Sequence, residues 1–301
     1  MTVTDILWTL AGPFGLVFVF LTAIWRPWRS DTDVYDGWPL PVALASAYAL
    51  GHIAISSVLG FPAVTADDWL FFVAIGAGCW GVVEARFESM PNIARYAGRL
   101  AVFGTGFGLM FGDYLSAIAL GGLLIATMIW VAALELAADA GEGATTLWSV
   151  IIVSGAAGGL FVLGASLKLA LLIWGLMSAT AAVAVVSINT GSRLRIKPAL
   201  TVIGVVLIGL FVASVLFARV PAVSAVAVAI ALVIPLGIGA APLISEMSRW
   251  KRRVIQFGLV IAISVGAVGY VHLEFNVAEE QSEESGEDED DDNDEDDPYS
   301  W

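Results

Sequence analysis

His52 is one of two histidines in the chain, and Tyr48 and Ser56 stand four residues before and after it. On a helix, that spacing lays a phenol, an imidazole and a hydroxyl along one face. The surrounding run from Leu40 to Leu59 is apolar enough for a membrane span, which puts His52 about 18 Å along it at 1.5 Å per residue. An imidazole at that depth could shuttle a proton or bind a ligand between helices. The simpler expectation is a neutral ring satisfied by Tyr48, Ser56 or a backbone carbonyl.

Other polar residues have plainer readings. Glu84 and Glu135 stand at the ends of apolar runs, where they could reach water or arginines, with Arg86 and Arg95 as partners for Glu84. Arg95 and Arg99 are expected to snorkel to the interface. Asp31 and Asp33 read as a solvated loop, and Lys168 as the charged tip of a tight turn. Gly112–Asp113 with Tyr35–Asp36 falls short of the intramembrane aspartyl protease pattern, because Met110 stands where that pattern needs glycine. No metalloprotease, phosphate-loop or nucleophile-elbow motif is present. With two histidines and one cysteine, Cys79, neither a conventional zinc site nor an internal disulfide is expected, and no cofactor is implied.

Glycines carry the expected packing. Gly104, Gly108 and Gly112 recur every four residues, as do Gly155 and Gly159. Such ridges let another helix approach closely, within the chain or across a dimer seam.

An apolar content of 58 % against 14 % charged residues lies outside the soluble range. The expected fold is all-α, a polytopic transmembrane helix bundle over 1–275, followed by an acidic disordered tail over 276–301. The net charge of −14 belongs to that tail, since residues 274–301 hold 15 of the 28 carboxylates and no basic residue. The remainder is nearly neutral, so nothing points to nucleic acid. The tail could hold cations or a basic protein weakly, because its carboxylates are separately hydrated and screened.

Ten spans are expected. Leu147–Ser187 is about twice the length of one span, so it must turn back near Gly164–Lys168. Leu100–Leu136 is divided at Gly112–Asp113, with a re-entrant hairpin at 100–114 as the alternative. With an outside N-terminus, twelve of the fourteen basic residues fall in inner loops, Lys168 and Arg219 being the exceptions. Both termini are then outside, in what the composition suggests is a prokaryotic cytoplasmic membrane.

The length and span count resemble those of drug/metabolite transporters, and that resemblance implies a permease or carrier. The sparse buried charge narrows the expected solute to an uncharged or apolar one. The alternative is a non-catalytic scaffold or complex subunit that recruits a partner through its acidic tail. Expected partners are the lipid bilayer and a second copy or another membrane protein.

Overall fold

The computed structural model describes residues 3–25, 37–56, 63, 65–87, 89–138, 143–190, 195–233 and 247–287. They form helices α1 (Val3–Trp25), α2 (Pro39–Ile55), α3 (Ala66–Arg86), α4 (Asn92–Phe111), α5 (Ala117–Ala137), α6 (Gly143–Leu163), α7 (Leu167–Thr190), α8 (Lys197–Phe217), α9 (Ala222–Ala231) and α10 (Arg249–Glu287). There is no strand among the described residues. Seven of the helices are long and apolar enough to cross a membrane, which marks the chain as an integral membrane protein.

α8 is the centre of the bundle. It is buried on almost every side and packs chiefly against α3 and α2. α7 lies against α6, α1 and α2, while α4 bridges α3 and α5. α10 packs on α6 and α9 and leaves much of its surface uncovered. Helices that are apolar all round suit lipid as the outer solvent.

Local chemistry sets the helix ends. The Ser166 amide donates to the Phe161 carbonyl at 2.8 Å and the Ala165 amide to Val162 at 3.0 Å, closing α6. Ala165 takes a positive φ of 60° there, and Ser166 Oγ then accepts from the Leu169 amide at the head of α7. The expected reversal inside Leu147–Ser187 is this turn. Thr65 caps α3, its Oγ1 donating to Asp68 Oδ2 at 2.7 Å and accepting from the Asp68 amide at 3.4 Å. Asp67 and Asp68 therefore sit in the first turn of a helix.

Pro13 interrupts the amide ladder within α1, a defect that neighbouring helices must absorb. Gly51 of α2 and Gly175 of α7 admit that stretch closely, and Ser178 Oγ donates to the Leu10 carbonyl.

One alternative is set aside and one boundary moves. α4 is one continuous helix of 20 residues, so no re-entrant hairpin forms at 100–114. α10 runs on through Glu287, so the tail expected to be disordered from 276 begins as helix. Ala278, Glu279, Glu280 and Gln281 are good helix formers, and an existing helix extends at little cost. Residues 288–301, Asp31 and Asp33 lie outside the described residues.

The helix ends fall into two groups. At one end, Gly37 approaches the Arg195 carbonyl, and Gly81 approaches Pro41 and Pro198. At the other, Gly164 lies against Ala218, Lys168 against Asp67, and Tyr114 against Phe217. The first group belongs to the expected inner side and the second to the outer.

Candidate functional site

α3 carries an ionisable cluster at each of its ends. Asp67 and Glu84 are 17 positions apart, so about 25 Å of helix separates them.

At the C-terminal end of α3, Arg99 of α4 is completely buried. Its Nε donates to Glu84 Oε1 at 2.6 Å and its Nη2 to Glu84 Oε2 at 2.7 Å, a two-pronged pairing that fits the flat guanidinium to the carboxylate. Nη2 also reaches Glu135 Oε1 of α5 at 2.8 Å. Trp80 Nε1 donates to Glu84 Oε1 at 2.6 Å, and the Tyr96 hydroxyl to Glu135 Oε2 at 2.8 Å. Three helices are thus tied through one cation and two carboxylates, all at most a few per cent exposed. Of the three guanidinium nitrogens of Arg99, Nη1 is left without a hydrogen-bond partner.

This arrangement corrects two sequence expectations. Arg99 does not snorkel, and Glu84 pairs with Arg99, not with Arg86 or Arg95. One turn of helix separates Arg95 from Arg99, yet only Arg99 shares the buried face of α4 with Phe103, Phe107 and Met110.

The N-terminal end of α3 holds the predicted trio. His52 is fully buried and Tyr48 nearly so, while Ser56 is half-buried with its hydroxyl covered. The trio does not satisfy itself: the Tyr48 hydroxyl, Ser56 Oγ and both His52 nitrogens lack hydrogen-bond partners. His52 instead faces the head of α3, its Nε2 lying 3.6 Å from Asp68 Oδ1. Its ring tilts against Tyr48 and Phe71, with centroids 6.1 and 5.6 Å apart. Asp67 is ion-paired with Lys168 from the α6–α7 turn. The donor atoms of His52, Asp67 and Asp68 all lie within 4.8 Å of one another. Beside them opens a cavity of about 280 Å³, lined among others by Thr65, Asp67, Tyr114, Ser166, Lys168 and Phe217.

No protein family, curated protein or solved structure matches this chain.

Of the five glycines expected to pack, only Gly104 and Gly155 face another helix. A Cβ on Gly108 or Gly159 would meet nothing within 4 Å, and one on Gly112 would meet only its own helix at Gly108. Gly104 and Gly155 make ordinary contacts, with Leu124 at 3.7 Å and Met177 at 3.4 Å. Close approach is made instead at Gly98 against Trp80, Gly106 against Val73 and Gly158 against Trp174. Four-residue spacing identifies a stripe on a helix but does not say which stripe faces protein.

Proposed function

We propose that the chain is a ten-span permease for a small solute of no net charge, with both termini outside a prokaryotic cytoplasmic membrane. The observation that carries this reading is on α3, with a largely apolar cavity holding the Asp67–Lys168 ion pair at its outer end and a sealed charge cluster at its inner end. A carrier needs a solute vestibule on one side and a closed barrier on the other, exchanged in turn.

Asp67 and Lys168 give the cavity wall one charge of each sign. Tyr114 and Phe217, edge to face at 4.9 Å between centroids, give it an apolar wall. That lining suits a zwitterion or an uncharged polar molecule with an apolar part. At the inner end, Arg99, Glu84 and Glu135 hold α3, α4 and α5 together and serve as the closed gate.

The count of ten takes α4 as a span despite its arginines, and includes α2 and the described part of α9. Its support is the grouping of helix ends into two sets, which agrees with the distribution of basic residues. The acidic stretch beyond α10 then lies outside and acts as a weak, salt-screened attractor for cations or a basic partner.

The test is flux. Protein reconstituted into liposomes should show saturable uptake of at least one member of a panel of amino acids and small polar solutes. Asp67→Asn should abolish that uptake. Absence of saturable flux across the panel would contradict the permease and favour a scaffold.

A further inference from the structure

We propose that His52, Asp67 and Asp68 form a binding site for a divalent transition-metal cation of the zinc type, with Lys168 as a tethered counter-charge on Asp67. One imidazole and two carboxylates are a donor set that zinc accepts, and the imidazole disfavours magnesium and calcium. The three donors come from two helices and lie within 4.8 Å of one another. A tetrahedral zinc with bonds near 2.1 Å spaces its ligands about 3.4 Å apart, so closure needs only modest side-chain rotation.

A second observation points to a ligand independently of the acids. His52 is fully buried, yet neither ring nitrogen has a hydrogen-bond partner, and the Tyr48 hydroxyl one turn away is in the same condition. Buried polar groups in that state are costly unless something engages them. Nε2 lies 3.6 Å from Asp68 Oδ1, beyond ordinary hydrogen-bond reach, and the neutral tautomer with its proton on Nδ1 offers the Nε2 lone pair to a cation. Asp67 lines the cavity, which supplies a route of entry and room for a fourth ligand.

The site goes beyond the permease reading and stands without it, because binding and flux are separate measurements. The test is calorimetric titration of the purified full-length protein with Zn²⁺, in excess Mg²⁺ to occupy the hydrated carboxylates of the acidic stretch. One saturable event per chain is expected. His52→Ala should remove it, a larger effect than the roughly 10–100-fold typical of losing an outer-shell partner. His272→Ala should leave it unchanged. Lys168→Met, at a half-exposed turn, should tighten it roughly two- to fivefold, the scale of a partly exposed ion pair. Should His52→Ala fail to fold, Asp68→Asn at the head of α3 gives the same reading. No saturable event in either the wild type or Lys168→Met would overturn the site. So would an event that survives loss of His52 or Asp68.

Discussion

Arg99 of α4 grips Glu84 of α3 through both carboxylate oxygens, at 2.6 and 2.7 Å, with its side chain wholly withdrawn from the surface. Removing one partner of such a pair strands a buried charge, which costs far more than the pair contributes when intact. Arg99→Ala should therefore destabilise the bundle by about 3–5 kcal/mol, and Glu84→Gln by a comparable amount. The double variant should lose less than the two single losses combined, as measured by equilibrium unfolding in detergent. Additive losses would mean that the pair is uncoupled.

Arg99→Lys separates charge from geometry. Lysine keeps the cation but presents a point charge where a planar fork had matched two carboxylates. It should recover part of the stability lost in Arg99→Ala and never all of it. Full recovery would show that the bidentate contact contributes nothing.

The glycines make a paired prediction. A side chain at Gly98 would run into the Trp80 ring, which also donates to Glu84, and one at Gly106 would run into Val73. Gly98→Leu and Gly106→Leu should each cost about 1–3 kcal/mol by overpacking. Gly108→Leu should be nearly neutral, since nothing stands within 4 Å of its missing Cβ. Thermal unfolding of the three variants in one detergent decides it.

Topology offers a fourth check. Reporter fusions after Arg29, Arg195 and Arg253 should read cytoplasmic, and a fusion after Ser285 should read external. A cytoplasmic reading at Ser285 would require an odd number of spans.

Much of the helical layout was legible because a span needs about 20 apolar residues, and the chain punctuates its runs with glycine, proline and charge. The turn at Gly164–Ser166 is one example, and the Pro39 and Pro41 start of α2 another. The inner cluster was not legible, although its members were all visible. Glu84, Arg99 and Glu135 are separated by 15 and 36 positions, and local periodicity cannot pair residues across three helices. A usable signal existed: two carboxylates and an arginine at the edges of apolar runs, which must find partners when withdrawn from water. The outer cluster shows the same limit. Asp67 and Asp68 stand just before an apolar run, and Thr65 three positions before Asp68 is a capping signature that draws them into a helix facing His52.

The central claim is that the inner cluster closes one end while the outer cavity stands open, and that the two states exchange. Pulsed electron-spin distance measurements in lipid test it directly, in a Cys79→Ser background. One label pair would replace Ile93 and Arg195 at the inner end, and another Asp113 and Val223 at the outer, all exposed positions. Two populations are predicted for each pair. Glu84→Gln should lengthen the mean inner distance and shorten the outer one. A single distance at both ends, unmoved by Glu84→Gln in a folded protein, would contradict the account.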